Sequence, residues 1–540
     1  MRRGVPGPAA VVRAVVVRAV LGLLALTLVA LPFYAAWRYD AHRRAVTPQA
    51  APPAGARPVT GEAAPPRGGP GADAAAPPVV LAYHDIGPRG RSRYTVTPEA
   101  FDAQLAALAR AGYRSLSTEE FVRYLDGGPP PARRSVFLTF DDGTHGLWVY
   151  GDRILARYRM RATAFLITGS VGSHRPYYLS WQEIGRMAAT GRWDFQDHTH
   201  ALHRRGAVDA AGTQVSALSH RLWLPGARRL EREDEYRARI SDDFDTSLAE
   251  LSRHGLPRPR LFAYPFSEVS EPADSASSSA ILRHELAARF AAALTNTSRR
   301  PLPAGRRAAA AREVQRLEIT RATDLPAFRA ELDRWTAVTP DSVPRPLEDR
   351  AGWERIGTAA RAGPGAFTGE GPYPGGKGYA ASSYRPLATA DWTDYTVEAT
   401  VERLSEARND VGIVVRDRSL TPVTVSLSHS YVSLFTGSGA RRTEVARRTL
   451  RDGAVHRVRV TVRGAHTEVV VDGRFRIDWT DEKAAGAAGR GGIGLVARNG
   501  DAQGEWPRFA SLRVSSVRIA SPPGARAGTG TARTAPAEGR

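Results

Sequence analysis

The 540-residue sequence has no cysteine, so disulfides and thiolate metal sites are excluded and only oxygen and nitrogen donors remain for a metal. That absence leaves an extracellular location open, because a chain of this size can be stabilised by burial alone. Lysine is almost as scarce: Lys377 and Lys483 are the only two, and the formal net charge of +20 is carried almost wholly by arginine. The arginines are scattered among acids instead of clustered with aromatics, which disfavours a nucleic-acid partner. A basic exterior facing an anionic cell surface fits the balance better. Length alone predicts two or three domains.

Residues 19–37 carry no charge and as a helix would reach about 28 Å, close to the thickness of a bilayer core. Tyr34 and Trp37 sit at one end, where an aromatic belt belongs, and Arg2, Arg3, Arg13 and Arg18 precede the run. The run is long for a cleaved signal peptide and no clean small-x-small site follows it. An uncleaved single-pass anchor in the cell membrane is therefore expected, with residues 1–18 inside the cell and the remainder outside; cleavage would give a secreted form. Residues 46–78, mostly Ala, Pro and Gly, read as a linker with too little apolar surface to fold, and residues 521–540 as a disordered tail.

From residue 79 onward, strand-like apolar runs alternate with helical periodicities. Runs at 79–83, 113–116, 135–140 and 162–167 are interleaved with helical patterns at 98–112, 117–121, 148–158 and 180–190. Such alternation predicts a parallel sheet covered by helices, either a barrel or an open sheet. In both, active groups collect at the carboxyl ends of the strands. His84-Asp85, Asp141-Asp142, His198 and Pro265-Phe266 all follow strand-like runs, so they are expected on one face. The adjacent carboxylates of Asp141 and Asp142 repel one another at the mouth of a buried strand unless a cation is shared. One can then bind a metal while the other stays free as a base. Nitrogen ligands to match are supplied by 197–203, where His198 and His203 lie five apart. That is about 140° around a helix, so this motif belongs on a loop.

Thr139-Phe140-Asp141-Asp142-Gly143 and His198-Thr199 with His203 resemble the motifs of the polysaccharide deacetylase family, carbohydrate esterase family 4, with its NodB-homology domain. The resemblance covers roughly residues 79–338 and takes in Tyr83-His84-Asp85 and Phe262-Ala263-Tyr264-Pro265-Phe266-Ser267. Within the family the His198-to-His203 spacing and the stretches at 97–101 and 111–113 look most like the branch acting on poly-N-acetylglucosamine. The resemblance implies a distorted (β/α) barrel and metal-dependent hydrolysis of the acetamide of N-acetylglucosamine units in a cell-surface or extracellular polysaccharide. It also implies a divalent metal ion, zinc first among the candidates, on Asp142, His198 and His203, with His200 as a bystander. Asp141 would be the base, and Phe266, beside Tyr264, would serve the oxyanion and substrate. Two departures stand out. The family's arginine that steadies the base is absent from 263–267, so the tuning of Asp141 must come from elsewhere. The late Leu-Arg-Ile-His-like motif near 315–319 lacks its histidine, and His84 is the replacement candidate for general acid. Rival readings are an O-acetyl esterase and a non-catalytic surface glycan-binding protein.

Asp324 opens a last helix through Trp335, and 340–346 reads as a hinge. Beyond it the period changes to two, with strands at 395–401, 411–415, 456–462, 467–471 and 492–497 and an Asp472-Gly473 hairpin. An antiparallel β-sandwich is expected over 350–520. Its Val-Asp-Gly and Gly-Gly-Ile-Gly-Leu signatures resemble the concanavalin-like jelly rolls of laminin-G and lectin type, which implies glycan binding by analogy. Trp392, Tyr431 and Trp506 could stack sugars, although core packing is the commoner use of such rings.

Overall fold

A computed structural model of the chain describes residues 8–46, 76–88, 92–131, 134–269, 276–356, 364–373, 376–406, 409–437, 439, 442–501 and 505–517. The linker expected at 46–78, apart from its ends, and the tail at 521–540 lie outside the described residues. Helix α1 (Pro8–Val46) contains the stretch Ala19–Arg38, long and apolar enough to cross a membrane. The chain divides into two compact units. The first takes residues up to 337 together with 385–391, and the second takes 338–384 and everything from 392.

The first unit is built on a parallel sheet. Its strands are β1 (Val79–Tyr83), β2 (Ser135–Phe140), β3 (Ala162–Leu166), β4 (Trp193–Asp197), β5 (Leu261–Ala263), β6 (Ala292–Thr295), β7 (Glu313–Gln315) and β8 (Leu317–Glu318). Continuous runs such as Val-Val-Leu-Ala-Tyr and Ser-Val-Phe-Leu-Thr-Phe are buried along their whole length, as strands covered on both faces must be. The order is β7-β6-β5-β4-β3-β2-β1-β8, and the short strand Arg114–Ser115 adds beside β2. The two edge strands, β7 and β8, are separated in sequence by Arg316 alone. The sheet edges therefore meet at one residue, and the barrel is nearly closed.

Helices enter with strong start signals. Thr97 caps α2 (Pro98–Arg110), and a Ser117–Glu120 capping box opens α3 (Thr118–Leu125). A second box, Ser180–Glu183, opens α4 (Trp181–Ala189). Helix α5 (Glu233–Arg253) buries Tyr236, Ile240, Phe244 and Leu251 and also turns Asp243 and Ser247 inward. Helix α6 (Leu325–Trp335) closes the layer.

The second unit consists of two antiparallel sheets, of seven and five strands, that share one aliphatic core. Asp472 and Gly473 both have positive φ, 51° and 68°, as the tight hairpin requires. One expectation changes here. The stretch at 340–346 is no free hinge: the Pro344 carbonyl accepts the Val514 N–H at 3.1 Å, and the Asp341 carboxylate accepts the Ser516 N–H at 2.9 Å. Prolines broke the helical pattern without making the segment independent, because the Pro344 carbonyl and the Asp341 carboxylate still bond to the last strand. Trp392 and Trp506 are core residues, each 5% exposed, while Tyr431 is half-buried beneath the Arg447 guanidinium at 4.5 Å.

Candidate active site

Parallel strands deliver their carboxyl ends to one rim, and the sequence places polar residues at each of those ends. His84 follows β1, Asp141 and Asp142 follow β2, His198 follows β4, and Tyr264 to Ser267 follow β5. The backbone is strained at these exits. Asp142 (φ 71°), Thr199 (77°), Phe266 (58°) and Ser267 (55°) all adopt left-handed conformations. For non-glycine residues each costs on the order of 1–3 kcal/mol, and for β-branched Thr199 the conformation is a true outlier.

Hydrogen bonds hold these turns. The Asp141 N–H donates to the Tyr83 carbonyl at 2.9 Å, and the Gly143 carbonyl accepts from Leu179 N–H at 3.0 Å. On the histidine loop, Asp197 Oδ1 accepts the Thr199 N–H at 2.7 Å and the Ser247 hydroxyl at 2.8 Å. Asp243 of α5 takes the N–H groups of His200 and Ala201 at 2.9 and 2.7 Å. Two buried acids thus serve as the frame on which the loop is bent.

Asp142, His198 and His203 converge, with one donor atom from each lying within 4.8 Å of the others. The Nε2 atoms of His198 and His203 stand 3.6 and 3.5 Å from Asp142 Oδ1. Ligands ~2.1 Å from a tetrahedral metal are about 3.4 Å apart, so the spacing suits such an ion. His198 Nδ1 donates to the Ala263 carbonyl at 2.7 Å, which turns the Nε2 lone pair into the cluster. Asp142 Oδ1 is buried without a hydrogen-bond partner, an orphan that a cation would satisfy. Burial works to raise the Asp142 pKa, but the facing imidazoles of His198, His203 and His84 outweigh it and hold it below the ordinary carboxylate value. Burial, and then repulsion from His198, push His203 down to about 4, so its ring stays a neutral donor at neutral pH. His200 is held elsewhere, its Nδ1 3.0 Å from Thr168 Oγ1.

Asp141 is 2% exposed and its carboxylate is gripped by Arg316, whose Nη1 and Nη2 donate to Oδ1 and Oδ2 at 2.7 Å each. Arg316 is itself 0% exposed, and its Nε donates to Asn296 Oδ1 at 2.8 Å. Burial alone would raise Asp141; the guanidinium charge and its two hydrogen bonds overcome that and hold the carboxyl far below the usual range. His84 Nε2 lies 3.9 Å from Asp141 Oδ2, its Nδ1 is buried without a partner, and its ring packs 4.5 Å from that of Tyr94.

Phe266 is 39% exposed, with its ring 4.6 Å from that of His203 and the Arg205 guanidinium 4.3 Å above it. Tyr264 is not brought to the cluster by its side chain. Its ring is buried among Phe262 and the apolar residues beneath the rim, and its N–H is spent on the Leu294 carbonyl at 2.9 Å. The strand ends at Ala263 and the chain turns at Pro265 through a left-handed Phe266 (φ 58°), so strand alternation no longer applies: Phe266 reaches the mouth while Tyr264 stays in the core.

Two residues were not anticipated. Arg316 supplies the guanidinium absent from 263–267; its signal was the arginine inside the late motif, noted above only for lacking a histidine. Tyr177 is 48% exposed, and its phenol is raised by burial and then by the nearby charges of Asp142 and Asp85. Its carbonyl accepts the His145 N–H at 2.7 Å, which ties its loop to the turn after β2.

A family model described as polysaccharide deacetylase matches residues 128–283. A poly-β-1,6-N-acetyl-D-glucosamine N-deacetylase of Staphylococcus epidermidis is 36% identical over 181 residues, 33% of this chain and 56% of the relative. One of Staphylococcus aureus is 36% identical over 113 residues, 20% of this chain and 39% of the relative. The matches thus span about half or less of those relatives' length. Among solved structures, IcaB from Ammonifex degensii is 27% identical, with a TM-score of 0.36 over 48% of this chain and 97% of that one.

Proposed function

We propose that this chain, whose barrel carries a polysaccharide deacetylase domain, hydrolyses the acetamide of N-acetylglucosamine units in a cell-surface polysaccharide and releases acetate. The observation that carries the reading is the pairing, on one rim, of a three-donor cluster with a separate, arginine-locked carboxylate. A divalent ion on Asp142, His198 and His203, zinc by the nitrogen-rich donor set, would acidify bound water and polarise the acetyl carbonyl.

The chain's own residues divide the remaining work. Arg316 keeps Asp141 ionised and fixed, so that its carboxylate can accept a proton from the attacking water. His84, whose Nε2 lies 3.9 Å from Asp141 Oδ2, would return a proton to the departing glucosamine nitrogen. The backbone N–H of Phe266, on its strained turn, is the group assigned to the developing oxyanion. Exposed rings of Phe266 and Tyr177 flank the cluster as walls for a sugar chain.

In this reading the Ala19–Arg38 helix anchors the enzyme in the cell membrane with the barrel outside. The two-sheet unit is a concanavalin-like module that binds glycan; half-buried Tyr431 under Arg447 is the aromatic that supports this, since Trp392 and Trp506 are internal.

The test is acetate release by the full chain from β-1,6-linked N-acetylglucosamine oligomers, with and without chelator, beside an O-acetylated sugar. Chelator-sensitive release from the oligomers is expected. Release only from the O-acetylated sugar would replace the N-deacetylase reading by an esterase, and release from neither would leave a binding protein. His203→Ala should abolish both metal content and activity while His200→Ala spares both; metal retained in the former and lost in the latter would reassign the ligand.

A further inference from the structure

The barrel carries a second chemical pattern, at the end away from the active site. Arg134, Arg161, Arg192, Arg260 and Arg312 immediately precede β2, β3, β4, β5 and β7. Because the pairings from β2 through β7 are all parallel, these five arginines encircle a single face, the one formed by the strands' amino ends. The acidic residues Asp85, Asp141, Asp142 and Asp197 occupy the other end.

Some of this charge is internally matched: Arg192 forms a two-point pair with Asp152 at 3.1 and 2.9 Å. Arg260 lies 3.5 Å from the exposed carboxylate of Asp126. The rest is not. Arg134 donates to the Ala111 carbonyl, Arg306 to those of Tyr124 and Gly128, and Arg312 to that of Ala287, none of which carries charge. Arg260, Arg306 and Arg312 line a recess of ≈550 Å³ in which Asp126 is the only acidic lining residue. Arg161, Arg260 and Arg312 are all exposed.

We infer that this arginine face docks the barrel on an anionic lipid surface, the membrane that holds residues 19–38. The inference rests on the anchored reading given above. It follows from where the chain enters: Val79 starts β1 at this same end of the sheet, so the segment arriving from the helix reaches the barrel on its basic side. Residues 47–75 could span up to ~100 Å, so the anchor alone does not set which face meets the lipid. Uncompensated guanidiniums within a Debye length of anionic headgroups do set it, and they turn the catalytic rim away from the membrane. Lipid phosphates match the charge of the recess, which Arg260, Arg306 and Arg312 line.

The full chain would be placed in nanodiscs of phosphatidylcholine alone or mixed with phosphatidylglycerol, and amide hydrogen exchange followed in each. Slower exchange is expected at 125–128, 257–260 and 309–313 in the anionic discs only, reversed by added salt. Replacing Arg134, Arg161, Arg260 and Arg312 by Gln should remove the protection, while replacement by Lys should keep most of it, which separates lost charge from lost fold. Equal exchange in the two kinds of disc, or protection that survives the Gln replacements, would overturn the docking. Fast exchange throughout 19–38 in either disc would instead defeat the anchor reading, a distinct outcome. Equal protection by soluble dextran sulfate without lipid would assign the face to an anionic polymer and also overturn the inference.

Discussion

Two arginines are 0% exposed among the described residues, one in each unit, and they are held in opposite ways. Arg316 reaches across the barrel to a carboxylate it grips at two points, with a side-chain amide on Nε. Arg416 meets only the carbonyls of Gly464 and His466, through Nη2 at 2.9 and 3.2 Å, while its Nε and Nη1 have no partner. Burial accordingly pushes the Arg416 pKa down. A buried ion pair earns its place less by stability than by what it fixes, since well-packed apolar residues often do as well. Arg316 fixes the position and charge of Asp141; Arg416 fixes nothing that reacts.

Breaking the first arrangement should have the largest effect. Arg316→Met leaves Asp141 buried with no counter-charge, and a loss of about 3–5 kcal/mol is expected in denaturant unfolding, together with loss of acetate release. A variant that stays active would show that Asp141 needs no partner. Asp141→Asn should lower kcat by about 10²–10⁴ while metal content is retained, because the amide can bind water but cannot take its proton. Metal lost along with activity would make Asp141 a ligand. The double variant Asp141→Asn with Arg316→Met sharpens the contrast: it should regain much of the stability lost by Arg316→Met, since no charge is left stranded, yet stay inactive. Strictly additive losses would mean that the pair is not coupled. The smallest effect is expected of Arg416→Met, within about 1 kcal/mol of wild type in either direction, because it removes a charge that few groups satisfy. A loss as large as that of Arg316→Met would erase the distinction.

The convergence of Asp142, His198 and His203 was legible because these residues are local in sequence and follow recognisable strands. Asp141 and Asp142 follow a fully buried strand, and His198 and His203 lie on one loop whose spacing ruled out a helix. The barrel was legible for the same reason, through the alternation of strand-like and helical periods. Arg316 was not, because it lies 175 positions from Asp141 in sequence and the two meet only when the sheet's edges do. No local pattern reports which residue will stand at that closure. The burial of the Tyr264 ring was not legible, since a motif gives the order of residues but not which side each one faces. The stretch at 340–346 was misread as a hinge because proline content reports lost donors and is silent on the carbonyls that remain.

The closure at Arg316 also fixes an order of events during synthesis. Asp141, Asp142, His198 and His203 emerge from the ribosome well before residues 313–318, which bring β7, Arg316 and β8. Until then β1 lacks its second neighbour, and the Asp141 carboxylate is without the guanidinium that keeps it ionised in the interior. The Asp141 carboxylate thus gains its counter-charge last, from the segment that completes the sheet. Ribosome-arrested chains should gain protease resistance in the barrel only once residue 318 has cleared the exit tunnel, and resistance at shorter lengths would show that the barrel can form unclosed.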